Sequence, residues 1–197
     1  MKRIVLATKN EGKIREIRGA FAHLPVEVIS LAELGTFPDA VEDGETFEQN
    51  ARIKAEFYQR QTHEAVLADD SGLEIAALGG APGVHSARFA GGVHASDAAN
   101  NQKMLAELEK RGVSESPADY RCVLHFCDPD GTVLSAEGRV DGLIRTQAHG
   151  SGGFGYDPYF YIGTRTMADM TPEEKGTISH RGKALRAFVK KLEAYLK

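Results

Sequence analysis

Cysteine is scarce in this chain, which has only Cys122 and Cys127 among its 197 residues. Both fall in a segment that we predict to be one strand, so their side chains point to opposite faces and lie about 16 Å apart. That separation is too large for a disulfide. The motifs C-x-x-C, H-E-x-x-H and G-x-S-x-G are also missing, which removes the usual redox, zinc and serine-hydrolase signatures.

Long hydrophobic runs are missing as well. The run Ile4-Val5-Leu6-Ala7 is too short for the core of a signal peptide, and no run approaches the roughly 20 apolar residues of a membrane span. We therefore expect a cytoplasmic protein. A net charge of -4 and a pI near 6.0 give no general basic surface. We expect neither nucleic acid nor a membrane as a partner, and phosphate binding has to depend on local lysines.

Hydrophobic residues are plentiful, at 42% of the chain, so a sizeable core can form. The length suits a single domain over residues 1–197, in one or two lobes. Hydrophobic periodicity and turn residues predict alternating strands and helices. The predicted strands are Lys2–Thr8, Val26–Ser30, Ala65–Ala68, Leu73–Ala77, Ala118–Cys127, Thr132–Gly138 and Tyr159–Ile162.

The densest group of glycines lies between Gly150 and Pro158. Glycine lets the backbone approach a ligand closely, so Phe154 and Asp157 are the main side chains that such a loop offers for contact. We interpret the loop as a holder for a flat ligand. The alternative is a long turn whose Phe154 fills a hole in the core.

The same loop fits the dinucleotide fingerprint G-x-G-x-x-G through Gly150, Gly152 and Gly155. That motif indicates a Rossmann site only where it follows a strand and opens a helix. Here Pro158 and an aromatic strand follow, so we reject the Rossmann interpretation.

The first strand leads through Thr8-Lys9-Asn10-Glu11-Gly12-Lys13 into a helix that we expect to reach about His23. Backbone N–H groups and the helix dipole at such a turn favour an anion, and Lys13 adds a cation. The turn is a candidate phosphate site. It is not a Walker A loop, because Ile14 follows Lys13, and the alternative is an ordinary turn.

A capping box at Thr46 predicts a second helix to about Gln61. Asn50 and Lys54 share one face of it beside apolar residues. Lys54 is either a functional cation or a side chain that covers apolar surface with its stem.

Two carboxylates, Asp69 and Asp70, end the strand Ala65–Ala68 and precede Ser71. Neighbouring strand residues face opposite ways, so at most one of them serves a given site directly. Carboxylates at a strand end suit Mg²⁺, which binds one or two of them together with phosphate oxygens and water. The alternative is a turn closed by aspartate hydrogen bonds.

Three further helices are predicted by their caps. One runs from Ser96 to Arg111, a short one opens at Thr171, and the last follows Ser179. His180 and Arg181 stand in the first turn of the last helix, where the dipole disfavours cations. Acceptor atoms of a ligand explain them, and solvent exposure is the alternative.

Six blocks in a fixed order resemble one family, the noncanonical purine nucleoside triphosphate pyrophosphatases, also described as the inosine and xanthosine triphosphatase or Ham1-like family. The blocks run from the first strand to the last helix: Thr8-x-Asn10-x-x-Lys13, Glu42-x-Gly44-x-Thr46-Phe47-x-x-Asn50-Ala51-x-x-Lys54-Ala55, Ala68-Asp69-Asp70-Ser71-Gly72-Leu73, Gly83-x-x-Ser86-Ala87-Arg88, Gly152-Gly153-Phe154-Gly155-Tyr156-Asp157-Pro158 and Ser179-His180-Arg181-Gly182.

The resemblance implies an α/β fold with an elongated mixed sheet, flanked by helices in two lobes with a nucleotide cleft between them. It also implies Mg²⁺ dependence and a homodimer. It assigns the metal to Glu42 and Asp70, with Asp70 also as general base. The residues it assigns to the substrate are Thr8, Lys9, Asn10, Glu11, Gly12, Lys13, Lys54, Ser71, Phe154, Gly155, Tyr156, Asp157, Lys175, His180 and Arg181.

Two residues depart from the pattern, since Lys9 stands where many bacterial members have glycine and His85 where tyrosine is common. The implied reaction is attack of water on the α-phosphorus, which yields nucleoside monophosphate and pyrophosphate. A non-catalytic nucleotide sensor and a pyrophosphatase of the related Maf type are the alternatives.

Base selection is expected to come from Phe154, His180 and Arg181. Phe154 can stack on any purine, and donors aimed at position 6 accept the carbonyl of hypoxanthine or xanthine but oppose the amino group of adenine. We expect inosine and xanthosine triphosphates, ribo or deoxy, to be preferred over adenosine and guanosine triphosphates.

Overall fold

The structure is a computed structural model that describes residues 1–92 and 95–197. Seven strands form a mixed sheet in the order β2-β1-β3-β4-β5-β6-β7, and helices flank it. Strand β1 pairs in parallel with β2 and β3, whereas β6 pairs antiparallel with β5 and β7. The α/β class and the mixed sheet predicted from the sequence are confirmed.

The strands are β1 (Lys2–Leu6), β2 (Val26–Ser30), β3 (Ala65–Ile75), β4 (Glu115–Cys127), β5 (Val133–Arg145), β6 (Phe160–Ile162) and β7 (Arg165–Thr166). The α-helices are α1 (Glu11–Phe21), α2 (Leu31–Leu34), α3 (Phe47–Thr62), α4 (Asp97–Glu109), α5 (Pro172–Ile178) and α6 (His180–Tyr195). In the part of the chain that the structure describes, no helix combines the length and the apolar composition that a membrane crossing requires.

The chain divides into two compact units. The first unit comprises residues 1–70, 122–138 and 181–197, and the second comprises residues 71–121 and 139–180. The prediction of a single functional domain over residues 1–197 stays a prediction.

The first unit has an apolar cluster on each face of its strands. On one face Ile4 and Leu6 of β1 join side chains of α1 and α6. On the other face Val5 joins a cluster that includes Ala55 and Tyr58 of α3. This division follows from the alternation of side chains along a strand. The alternation also puts Cys122 and Cys127, both buried and free, into different clusters, so the prediction that they do not pair is confirmed.

The second unit has one apolar cluster. It contains Leu73 and Ile75 of β3, Met104 and Leu108 of α4, and side chains of β4, β5 and β6. Tyr156 from the glycine-rich loop is also part of it. The core of this unit therefore fixes one end of the loop that the sequence singled out.

Most helix starts agree with the predicted caps. As predicted, Thr46 forms a capping box with Gln49 and Ser96 caps α4. Asn10 caps α1 by accepting from the backbone of Lys13, a cap that was not predicted. Thr171 forms a capping box with Glu174 at the start of α5.

Strand β3 differs from its prediction. We expected a strand to Ala68, a break at Asp69–Gly72 and a second strand from Leu73, but β3 runs without interruption from Ala65 to Ile75. The alternative of a turn closed by aspartate hydrogen bonds is therefore wrong. Both carboxylates have lysine or arginine partners, and these contacts together with the neighbouring strands outweigh the low strand preference of Asp, Ser and Gly.

The predicted strands Ala118–Cys127 and Thr132–Gly138 are confirmed as neighbours in the sheet, joined by a turn in which the Gly131 N–H donates to the Asp128 carbonyl at 2.9 Å. Both strands are longer than predicted, because β4 begins at Glu115 and β5 ends at Arg145. Strand β1 is shorter than predicted and ends at Leu6. This leaves Thr8 and Lys9 in the turn before α1.

Phe188 tests the core of the first unit. Its fully buried ring stacks on Phe21 at 5.9 Å between centroids and contacts Phe126 at 6.1 Å. Phe188→Ala removes these contacts and leaves a cavity, so we expect the free energy of unfolding to fall by about 3–5 kcal/mol in urea denaturation. The control Val133→Ala, at a side chain 57% exposed, is expected to change it by less than about 0.5 kcal/mol. Equal effects of the two variants would contradict this account of the core.

Candidate active site

Asp70 lies at the centre of a cluster of charges in the first unit. Lys54 of α3 donates to Glu42 Oε2 at 2.9 Å and to Asp70 Oδ1 at 3.4 Å, and it also contacts the backbone oxygen of Asp69 at 3.2 Å. The side chains of Lys54 and Asp70 are only 12% and 9% exposed. Lys54 therefore bridges two carboxylates rather than extending into solvent.

The protonation of this cluster reflects burial and charge together. Burial raises the pKa of Asp70 to about 6, an effect that Glu42 and Asp69 strengthen and that Lys54 and Lys13 oppose. Burial alone would lower the pKa of Lys54, but Asp70 and Glu42 raise it above its usual value. Lys54 is thus a permanent cation between two acids.

One oxygen of Asp70 has no protein partner. Within residues 1–92 and 95–197, the buried Oδ2 atom of Asp70 accepts no hydrogen bond. A buried acceptor without a partner is costly, so such an atom calls for an explanation. A bound cation or water would supply one.

Asp69 makes a separate set of contacts. Its carboxylate accepts from Lys13 Nζ at 2.6 Å, from Arg181 Nε at 2.7 Å and from the thiol of Cys122 at 3.2 Å. Arg181 also donates to Glu16 Oε2 at 2.8 Å. Burial opposes the ionisation of Asp69, but Arg181 and Lys13 outweigh it and hold the pKa of this carboxyl well below its usual range.

Cys122 is both a core residue and a hydrogen-bond donor. Burial and the nearby charge of Asp69 raise the pKa of its thiol well above the usual value, so it remains protonated and donates to the carboxylate. Neither this contact nor that of Glu16 was predicted. The sequence indicates only that Cys122 lies in a predicted strand, and not which strand is adjacent.

The turn before α1 is held by its own side chains. The Asn10 side chain accepts from the Lys13 backbone N–H at 3.0 Å, and the Asn10 backbone N–H donates to Thr8 Oγ1 at 3.2 Å. Lys9, which is exposed, forms an ion pair with Asp39 at 2.6 Å. Glu11 and Gly12 open the helix. The predicted phosphate turn thus lies in the first unit, together with Lys54 and Asp70.

The glycine-rich loop lies in the second unit and is organised by Asp157. This buried carboxylate accepts from the backbone N–H of Phe154 at 3.0 Å and from Lys175 Nζ at 2.7 Å. Lys175 also stands over the Phe154 ring, 4.3 Å from its centroid. A Cβ atom on Gly153 would come within 2.2 Å of Asp157, so this approach requires glycine.

Phe154 is not the core residue of the alternative interpretation. It is partly exposed and does not belong to the apolar cluster of its unit, whereas Tyr156 is buried and its hydroxyl donates to the Ser86 carbonyl at 2.7 Å. The loop therefore anchors one ring in the core and keeps another at its surface.

The remaining predicted residues divide between the two units. His180 belongs to the second unit, where its ring is stacked on Tyr120 with centroids 4.5 Å apart and planes 7° apart. Ser71 follows Asp70 in β3, and His85 is exposed. Arg181 belongs to the first unit and is buried. Solvent exposure is therefore not the explanation for His180 and Arg181, and their contact with substrate stays a prediction.

Two features of the structure lie outside the predicted residues. Among the described residues, no group of three or more His, Cys, Asp and Glu side chains is arranged to hold a metal ion by itself. A pocket of about 500 Å³ lies in the first unit, lined by residues of α3, β4, β5 and α6, and it contains none of the predicted site residues.

Comparison with known proteins matches nearly the whole chain. A model of the Ham1 family matches residues 4–191. A dITP/XTP pyrophosphatase of Syntrophobacter fumaroxidans is 49% identical over 196 residues, which cover 98% of this chain and 83% of that relative. One from Geobacillus kaustophilus is 49% identical over 187 residues, with coverage of 94% and 91%.

Solved structures agree with this match. A HAM1 protein from Coxiella burnetii is 41% identical with a TM-score of 0.87, and the Ham1 protein of Staphylococcus aureus is 40% identical with a TM-score of 0.83. Each comparison covers 98% of this chain and 100% of the other.

Asp69→Asn tests whether the buried ion pairs stabilise the first unit. The substitution removes the charge that compensates Arg181 and Lys13, so we expect the free energy of unfolding to fall by about 3 kcal/mol in urea denaturation. Glu27→Gln breaks an ion pair with Arg3 whose side chains are 52% and 45% exposed, and it is expected to cost at most about 1 kcal/mol. If both variants cost the same, Asp69 does not have the structural role described.

Proposed function

The chain belongs to the Ham1 family, and from that premise we propose that it hydrolyses noncanonical purine nucleoside triphosphates to the nucleoside monophosphate and pyrophosphate. The substrates are inosine, deoxyinosine and xanthosine triphosphates. Hydrolysis removes these nucleotides from the pool before they are incorporated into DNA or RNA. The observation that carries the proposal is the Lys54–Asp70–Glu42 cluster in a chain of this family.

Glu42 and Asp70 are suited to hold Mg²⁺. Both are carboxylates, the ligand type that this hard cation prefers, and Mg²⁺ usually binds one or two of them with phosphate oxygens and water. The Oδ2 atom of Asp70, for which the described residues supply no hydrogen bond, fits such a role. When bound, Mg²⁺ would neutralise charge on the phosphates and lower the pKa of a bound water.

Asp70 is the proposed general base. Its carboxylate is largely buried, and Lys54 Nζ lies 3.4 Å from Oδ1, which keeps this oxygen in a defined orientation. A carboxylate held in this way can accept the proton of the water that attacks the α-phosphorus. Pyrophosphate is then the leaving group.

Lys54 and the turn Thr8–Lys13 are proposed to bind the triphosphate. Transfer of a phosphoryl or nucleotidyl group depends mainly on positioning and on stabilisation of charge, for which fixed cations are effective. Lys9, Asn10, Glu11 and Gly12 belong to this turn. Lys13 is held by Asp69, which limits the positions of its ammonium group.

The nucleoside is proposed to bind Ser71, Phe154, Gly155, Tyr156, Asp157, Lys175, His180 and Arg181. Phe154 supplies a partly exposed ring for stacking, Asp157 accepts from its backbone N–H, and Lys175 Nζ lies 4.3 Å from the ring centroid. Stacking is worth about 1–3 kcal/mol per base and does not distinguish purines. Selection of the 6-carbonyl is assigned to donors of His180 and Arg181.

The chain is proposed to act in the cytoplasm as a homodimer, with a single catalytic domain over residues 1–197. The family resemblance supports the dimer, and the cytoplasmic location follows from the presence of the nucleotide pool there. Neither nucleic acid nor a membrane is proposed as a partner.

The products distinguish this function from its alternatives. Phosphorus NMR of a digest of inosine triphosphate with Mg²⁺ is expected to show inosine monophosphate and pyrophosphate. Adenosine triphosphate is expected to be cleaved at least about 100-fold more slowly, because its 6-amino group opposes the donors of the site, and guanosine triphosphate is also expected to be cleaved more slowly. Orthophosphate with a nucleoside diphosphate would contradict the proposed bond cleavage. Binding without any cleavage would indicate a sensor, and preference for another base would favour a Maf-type activity.

Asp70→Asn tests the general base. We expect turnover of inosine triphosphate to fall at least about 100-fold at saturating Mg²⁺, because an amide cannot accept the proton. Circular dichroism is expected to show an intact fold. Asp43→Asn, an exposed acid beside Glu42, is the control and should retain turnover. If a folded Asp70→Asn protein keeps nearly full turnover, the base is a different residue.

A further inference from the structure

Two side chains of α4 hold both polar backbone groups of Gly155. The Gly155 N–H donates to Asp97 Oδ2 at 2.7 Å, and Asn101 Nδ2 donates to the Gly155 carbonyl at 2.9 Å. Asp97 and Asn101 are one helical turn apart and share a face of α4. A single helix thus fixes one residue of the glycine-rich loop through two hydrogen bonds.

The position of Gly155 determines where Phe154 lies. Gly155 has a φ of +63°. Glycine adopts negative φ values about as readily, so other contacts are needed to keep it in this conformation. Its other neighbour, Tyr156, is anchored in the core of the second unit. With Tyr156 fixed, the torsion angles of Gly155 set the direction in which the chain and the Phe154 ring project.

The contact between Asn101 and Gly155 fixes the orientation of the Asn101 amide. The Oδ1 atom of Asn101 is buried and has no hydrogen-bond partner within the described ranges of the chain. Turning the amide over would bring Oδ1 against the Gly155 carbonyl, with acceptor facing acceptor, so Gly155 dictates the amide orientation. A buried acceptor without a partner destabilises a fold.

We propose that Asp97 and Asn101 are positioning residues for base recognition. They hold Gly155 so that the Phe154 ring is already placed to stack on the purine, which reduces the ordering that binding would otherwise require. They act through Gly155 and do not touch the substrate. This inference rests on the proposed function, which assigns Phe154 to the base.

The other support of Phe154 does not depend on α4. Asp157 accepts from the Phe154 N–H and from Lys175, and neither residue is part of the contact with α4. Loss of Asp97 or Asn101 is therefore expected to loosen Gly155 without unfolding the loop. The effect of substituting Asp97 or Asn101 can therefore be measured on a folded protein.

The test compares a substrate that has a base with one that has none. For Asn101→Ala and Asp97→Ala we expect kcat/KM for inosine triphosphate to fall about tenfold, mainly through KM, since stacking of one base is worth about that much or more. Methyl triphosphate has the same anhydride bond but no base, and its kcat/KM is expected to be unchanged. Inhibition constants give a second measurement, with that of inosine monophosphate rising and that of pyrophosphate constant.

Conservative variants separate positioning from a general loss of structure. Asp97→Asn keeps an acceptor for the Gly155 N–H and is expected to behave as the wild type, whereas Asn101→Asp loses the donor and is expected to resemble Asn101→Ala. Gln102→Ala, an exposed neighbour on α4, is the control. In a protein that already carries Phe154→Ala, Asn101→Ala should cause no further loss, because the two residues act as one unit.

Several outcomes would overturn the inference. An equal loss of kcat/KM on both substrates would show that the contact is only structural, and an unchanged KM for inosine triphosphate would show that Gly155 needs no support. Additive losses in the double variant would separate Asn101 from Phe154. If instead the wild-type protein does not cleave inosine triphosphate, the proposed function fails and not merely the role of α4.

Discussion

The alternation of side chains along β3 gives two adjacent carboxylates different surroundings. Asp69 is paired with Arg181 and Lys13, whereas Asp70 lies near Lys54. Because successive strand residues point to opposite faces, one substitution can change one of these clusters while the other keeps its partners. An interruption of β3 at this point would remove that separation. The continuity of β3 is thus the constraint on which the candidate active site in the first unit depends.

Electrostatics explains why each carboxylate needs its own cation. Two buried carboxylates in sequence would raise each other's pKa, and burial would raise both further. For Asp69 the effect of the cations is larger than that of burial, so its pKa is low and the group stays ionised. For Asp70 the effect of burial is larger than that of the cations, so its pKa is raised to about 6. The same residue type therefore has a mainly structural environment at one position and a chemically responsive one at the next.

The sequence predicted the parts of the fold that depend on local chemistry. Helix starts at Thr46, Ser96 and Thr171 follow from side chains that bind backbone N–H groups within the next turn, so a few residues suffice to identify them. Strand β3 was mispredicted because Asp, Ser and Gly disfavour strands by themselves. The contacts that override this preference come from residues far away in the chain, such as Lys13 and Arg181.

The sequence likewise predicted only part of the candidate site. Resemblance to the family supplied the residues, and the structure gives the contacts of Lys54, Lys175 and Asp157. Nothing in the sequence indicates a role for Asp97 and Asn101. Their hydrogen bonds to Gly155 join residues 58 and 54 positions apart and form only in the folded chain. A polar pair one turn apart at a helix start is common on solvated helices. Only the contact with Gly155 distinguishes Asp97 and Asn101 from such pairs.

In the proposed function, affinity and selection for the base have different physical origins. A ring such as Phe154 binds every purine face, so its placement affects how tightly a nucleotide binds but not which one. Selection requires donors that remain unsatisfied when the wrong edge is present, and the cost of leaving them unpaired then falls on the wrong substrate. In the proposed function Arg181 is one of these donors, and its hydrogen bonds to Asp69 and Glu16 would limit its movement toward a mismatched base. Rigid support of a donor is therefore as important for discrimination as the donor itself.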